Sequence, residues 1–208
     1  MILNFVIYSL EGIFVFKLFC VFSADMKIEK LFDAAPILND PIYRSCLILA
    51  SESRSPEIYG SMVMKDNLFI GTGRNRAVVH RYFKLDREIV QGYSNHAEVE
   101  AVLDARREGW DVRGSDVYSA GYFRNEKQLF LQDIYTCSVC IPYLEKLGIK
   151  NIYIPTPERW VKRPIEEAKE EAKWFKGDSH RRRLKISMKG FKVDDFKGLV
   201  NVLSGISS

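Results

Sequence analysis

Residues 136–155 read TCSVCIPYLEKLGIKNIYIP, and this stretch decides the fold. Cys137–Leu147 predicts a helix, and Gly148 stops it, because glycine tolerates the left-handed backbone that ends helices. Asn151–Pro155 is a short apolar run of strand type. Upstream, Asp116–Phe123 predicts another strand, and residues 124–133 a polar connection around Leu129-Phe130-Leu131. A helical crossover between two strands makes them parallel. Further upstream, Ala97–Gly109 predicts a helix with Val99, Val102 and Leu103 on one face and Gly109 as its stop. Glu57–Asp66 and Asn67–Gly73 predict two strands joined by a turn near Lys65-Asp66-Asn67. Asp40–Ser53 predicts a helix capped by Asp40, with Pro41 in its first turn and Ile42, Cys46 and Leu49 on one face. Arg76–Tyr93 is a charged connection without a period.

Downstream, Pro164–Phe175 predicts a helix opened by proline, with Ile165, Ala168, Ala172 and Phe175 inward. Leu184–Met188 predicts the last strand. The order is helix, hairpin, helix, strand, helix, strand, helix, strand. It implies a three-layer α/β/α domain on a mixed sheet of about five strands, the last of them parallel.

A chain of 208 residues, 47% hydrophobic and 28% charged, can bury one full core without disulfides. These values exclude a disordered chain, a collagen-like repeat and a disulfide-dense mini-protein. The net charge of +4 is unevenly placed. Residues 157–208 carry 13 Lys and Arg against 8 Asp and Glu, whereas the rest carries 18 against 19. Residues 1–25 form a hydrophobic extension, mostly apolar from Ile2 to Phe22 but with Glu11 and Lys17 within the run. Each of those charges costs about 2–3 kcal/mol in a membrane. Met1–Phe5 has no positive charge of the signal-peptide kind. The reading favours translation starting at Met26 over an anchor or a signal peptide. The domain is then 26–203, with 204–208 as a tail and a cytoplasmic location. A membrane contact enters only if residues 1–25 are an anchor.

The chemistry lies in His96-Ala97-Glu98, followed well downstream by Cys137-Ser138-Val139-Cys140. His96, Cys137 and Cys140 supply three ligands of a tetrahedral zinc ion, leaving the fourth position for water, as in a catalytic site. Cys137 and Cys140 are i and i+3 at a predicted helix start, so both thiolates point one way, where the helix terminus favours them. Glu98, two positions beyond His96, reaches the open position as a proton carrier rather than a ligand. Read singly, a HxE is helix surface. A CxxC at a strand-to-helix junction is also a glutaredoxin-type redox motif, a reading that leaves His96 and Glu98 idle.

The combined pattern resembles the cytidine deaminase-like superfamily of zinc-dependent nucleotide and base deaminases, whose signature is H-x-E followed by P-C-x-x-C. Phe69-Ile70-Gly71-Thr72-Gly73-Arg74-Asn75 is similar to that family's second strand, ending in a Gly-x-Gly-x-Asn turn. The resemblance implies Glu98 as the catalytic acid/base, Asn75 as a contact to the substrate sugar, and the backbone at Ala97, more than at Ser138, against the ring. Read alone, Gly71 and Gly73 are bulge or turn residues. Thr136 stands where the family has proline, and the connections before His96 and before Cys137 are longer than in compact members. A helix between the last two predicted strands resembles the branch holding dCMP deaminases, tRNA adenosine deaminases, guanine deaminases and the riboflavin-pathway deaminase.

The resemblance implies hydrolysis of a cytosine-type nucleotide, nucleoside or base to its keto form with release of ammonia, in a homo-oligomer such as a dimer. The alternatives are a base within tRNA or other RNA, and a non-catalytic zinc domain that binds nucleic acid. His180-Arg181-Arg182-Arg183 with Lys185, Lys189 and Lys192 is either a phosphate contact or a solvated strand edge. Trp174 and Phe175 read as core before they read as a stacking platform, and His80 as solvated or core. Cys46 reads as a buried small hydrophobe.

Overall fold

The computed structural model describes residues 35–53, 57–76, 96–124, 129–132 and 140–174. The extension 1–25, the tail 204–208, Cys137, Ser138, His80, Phe175, strand 184–188 and the basic segment 180–192 lie outside these residues. Among the described residues no helix is long and apolar enough to cross a membrane.

Helix α1 spans Pro41–Ser51, after a short 3-10 turn at Pro36–Asn39. Asp40 caps α1, its Oδ1 accepting the Tyr43 N–H at 2.9 Å. The buried face is Tyr43, Cys46, Leu47 and Ala50, the i, i+3, i+4, i+7 stripe of an amphipathic helix. Ile42 and Leu49, expected on that face, flank it half-buried. Cys46 is fully buried with its thiol 3.8 Å from the Tyr118 carbonyl. Burial, with a smaller push from Asp40, raises the thiol far above its ordinary range, so it is an inert core residue as expected.

Strands β1 (Glu57–Lys65) and β2 (Leu68–Arg74) pair antiparallel through the turn at Asp66 and Asn67. Both turn residues have positive φ, 49° and 63°, the two-residue turn whose twist matches a hairpin. Helix α2 (Ala97–Arg107) follows, then β3 (Asp116–Arg124), β4 (Leu129–Gln132), α3 (Cys140–Lys146), β5 (Asn151–Pro155), β6 (Trp160–Pro164) and α4 (Ile165–Trp174). Gly109 and Gly148, at φ 86° and 77°, lie just past α2 and α3, as expected of helix stops.

The sheet order is β2-β1-β3-β5-β6, with β4 antiparallel to β3. Strands β3 and β5 run parallel, as the helical crossover requires. Alternation along β1 and β3 feeds two cores. Ile58, Met62, Tyr118 and Ala120 face α1. Val63 and Val117 face the other layer with α2, α3 and Ile165 and Ala168 of α4. The result is the expected α/β/α layering on a mixed sheet.

Two strands form where the sequence reads as connection or helix start. Residues 129–132, expected in a polar loop, pair with Gly121–Arg124 as β4. Trp160–Pro164 runs antiparallel beside β5, and Pro164 ends β6 instead of opening the helix. A tight turn explains β6: Thr156 N–H donates to the Arg159 carbonyl at 2.8 Å, and Thr156 Oγ1 accepts the Arg159 N–H at 3.1 Å. Trp160 then reaches across the sheet. Its Nε1–H donates to Asp40 Oδ1 at 3.0 Å. Its ring meets Tyr43 and Tyr118 edge-on, with centroids 5.7 and 5.2 Å away, a favoured aromatic geometry.

Asp40 therefore accepts from a helix N-terminus and an indole at once. Asp40→Ala is expected to cost about 2 kcal/mol in urea unfolding, since a lost cap alone costs about 1. Asp40→Asn, which keeps the acceptor, should recover most of it.

Candidate active site

Helix α2 starts at the site because its first turn is fastened to β2. His96 is the extended residue before α2 (φ −79°, ψ 147°), and no side chain of its own caps the helix. That acceptor comes from Asn75, whose Oδ1 takes the Ala97 N–H at 3.0 Å. The backbone of Asn75 is held from two other elements. Its N–H donates to the Tyr59 carbonyl at 3.1 Å, and its carbonyl accepts from Ser53 Oγ at 2.7 Å.

Gly71 and Gly73 set the distance. A Cβ on Gly73 would run into the Ala97 carbonyl oxygen and the Ala101 nitrogen. A Cβ on Gly71 would run into the Ala101 carbonyl oxygen and the Ala105 nitrogen. The bulge expected here lies next to Gly71, where the β1–β2 register shifts between Val63 and Met64. The main service of both glycines is the close approach of helix to strand.

The start of α2 places His96 and Glu98 beside Cys140 at the start of α3. His96 Nδ1 lies 3.1 Å from Cys140 Sγ. A ligand atom from each of the three residues lies within 4.8 Å of the others. Glu98 and Cys140 are buried and His96 half-buried. Imidazole nitrogen, sulfur and carboxylate oxygen form a donor set suited to zinc. The first turn of α2 also brings the positive end of the helix to this cluster, which favours anionic groups there. Among the described residues this is the group of His, Cys, Asp and Glu that could hold a metal ion. Cys137, the other expected ligand, lies outside them.

The two residues expected to touch substrate, Asn75 and Ala97, are bonded to each other, and both are buried. Glu100, one turn of α2 beyond His96, is a further buried charge that the sequence reading does not single out. Its carboxylate is 2% exposed and lies 3.3 Å from Arg76 Nη2 and 3.5 Å from Arg107 Nη2. The available signal is Arg107 at i+7 and Arg76 directly after Asn75. Asp104 adds another fastening, its Oδ2 accepting the Thr72 N–H at 3.0 Å. A buried pair without any signal in the sequence is Ser61 Oγ and Ser119 Oγ, at 2.7 Å on the α2 side of β1 and β3.

The chain is similar to several solved structures, among them ones named as deaminases. They include the diaminohydroxyphosphoribosylaminopyrimidine deaminase/5-amino-6-(5-phosphoribosylamino)uracil reductase of Thermotoga maritima, at 20% identity and TM-score 0.34 over 73% of this chain and 34% of that one. The apo dCMP deaminase of cyanophage S-TIM5 matches at 13% identity and TM-score 0.33, over 62% of this chain and 80% of that one. Acinetobacter baumannii RibD matches at 20% identity and TM-score 0.31, over 54% of this chain and 26% of that one. The chain thus spans well under two thirds of the Thermotoga and Acinetobacter proteins. No family model matches it, and no curated protein does.

Proposed function

We propose that the chain is a zinc-dependent hydrolytic deaminase of an amino-pyrimidine or amino-purine, with a cytosine-type nucleotide, nucleoside or base as the first candidate. The observation that carries this reading is the 3.1 Å approach of His96 Nδ1 to Cys140 Sγ with the buried Glu98 carboxylate in the same cluster. His96 and Cys140, with Cys137 as the third ligand, would hold the ion. When bound, zinc supplies the Lewis acidity that makes water a nucleophile near neutral pH. Glu98 does the proton work. Its carboxylate, buried against the ligands, accepts a proton from the attacking water at Oε and passes it to the ring nitrogen beside the amino-bearing carbon. It then takes the proton of the hydroxyl added to that carbon and delivers it to the amine, which leaves as ammonia as the keto group forms. A carboxylate suits this because it acts as base first and acid afterwards. The amino-ring substrate class is supported by the H-x-E and C-x-x-C spacing and its family resemblance.

The test pairs metal analysis with an ammonia-release screen. Purified protein should carry about one zinc per chain. Ammonia should be released from one cytosine, adenine or guanine compound, tested as base, nucleoside, each phosphorylated form, and tRNA. A zinc-free chain with two readily oxidised thiols would favour the redox reading. Tight zinc with no ammonia from any compound would favour a non-catalytic zinc domain.

A further inference from the structure

We infer that Asn75 is a positioning residue, whose side chain sets the stance of His96 and Glu98 through the Ala97 amide between them. The inference rests on the reading of the site given above. The Asn75 side chain has two ends, and its oxygen accepts the Ala97 N–H at 3.0 Å. His96 precedes that amide by one residue and Glu98 follows it by one, so a rotation of this peptide moves both groups relative to Cys140. The bond is well backed. Asn75 is 3% exposed and held at its own N–H by the Tyr59 carbonyl and at its own carbonyl by Ser53 Oγ. It therefore fastens the end of α1, strand β1 and the start of α2 at one point.

The next residue repeats the arrangement one turn along. Arg76 Nη2 lies 3.3 Å from the buried Glu100 carboxylate. Thr72, three residues before Asn75, donates its backbone N–H to Asp104 at 3.0 Å. Residues 72, 75 and 76 thus grip α2 at Asp104, Ala97 and Glu100. Only the grip at Ala97 lies between His96 and Glu98, which singles out Asn75. Side chains that orient metal ligands without touching the metal are worth roughly 10–100-fold in metal affinity.

The distinguishing experiment exploits the two ends of the amide. Asn75→Asp keeps an acceptor for Ala97 and loses the amide donor; Asn75→Ala loses both. Zinc affinity would be measured by chelator competition, alongside Ala97 amide exchange on the zinc-free chain and the Michaelis constant and turnover on the best substrate of the screen. Asn75→Ala is expected to lose about 10–100-fold in zinc affinity and the protection of the Ala97 amide. Asn75→Asp should keep both within about threefold. Loss of turnover in Asn75→Ala should exceed any rise in its Michaelis constant.

If Asn75 instead serves substrate through its amide, both variants raise the Michaelis constant alike and leave zinc affinity intact, which overturns the inference. Should Asn75→Ala fail to fold, Ser53→Ala removes the hydroxyl that backs the Asn75 carbonyl. It should lower zinc affinity in the same direction by a smaller factor, and no change would count against the inference. A wild-type chain that takes up no zinc would overturn the deaminase reading and this inference together. Zinc uptake with equal affinities across all variants would overturn only this one.

Discussion

Glu98→Gln is expected to keep zinc and lose the reaction. Glutamine has the volume of glutamate and fits the buried position, so the fold should survive. What it lacks is a group that can take a proton, and general acid–base catalysis contributes about 100- to 10,000-fold. Because the same carboxyl is asked to act twice in the cycle, a fall of about 10,000-fold in turnover is expected, with the Michaelis constant little changed. Metal analysis on the same preparation separates the two roles open to a carboxylate this close to His96 and Cys140. A glutamine variant that is inactive with full zinc content identifies a proton carrier. One that has lost its zinc identifies a ligand, and the assignment of Glu98 would then be wrong.

The largest effect on stability is expected at Gly73. A valine there places Cβ against the main chain of α2 at Ala97 and Ala101, and no choice of rotamer moves a Cβ. The helix must lift from the strand, at a cost of about 3 kcal/mol or more. It would take the Asn75 bond and the His96–Cys140 approach with it, so zinc affinity should fall together with the urea midpoint. Gly109 supplies the contrast. Its φ of 86° is unsuited to side chains, yet nothing lies within 4 Å of a Cβ there. Gly109→Ala should cost only about 1–2 kcal/mol, the ordinary penalty of a left-handed residue, and leave zinc affinity alone. Equal losses at both positions would mean that backbone conformation, not contact with α2, decides the effect.

The parts legible in the sequence carry strong local signals. The Lys65–Leu68 turn, the glycine stops after α2 and α3, and the Asp40 cap each follow from a single residue's chemistry. The grouping of His96, Glu98 and Cys140 follows from ligand types at helix starts. What stays hidden depends on partners far away in the chain. Strand β4 is four residues long, and its pairing with β3 makes it a strand. Strand β6 is short and basic, and it is fixed by a tight turn and by an indole that finds Asp40. The glycines of β2 suggest local irregularity, whereas their main reason is the helix above them, which no pattern in residues 69–75 encodes. Glu100 looks like solvent-facing helix because the arginines that accompany it come from either side of it in sequence.

The bond between Trp160 and Asp40 joins residues 120 apart, and the Ile37 amide is tied to the Pro157 carbonyl over the same span. A chain emerging from the ribosome therefore exposes Asp40, Tyr43 and the α1 side of the sheet long before the strand that covers them has been made. Contacts of such sequence separation form late, because the loop between them must first be closed. The earliest helix of the described domain is thus among the last to be locked in place. Until synthesis passes Trp160, its aromatic face remains open to solvent or to whatever shelters nascent chains.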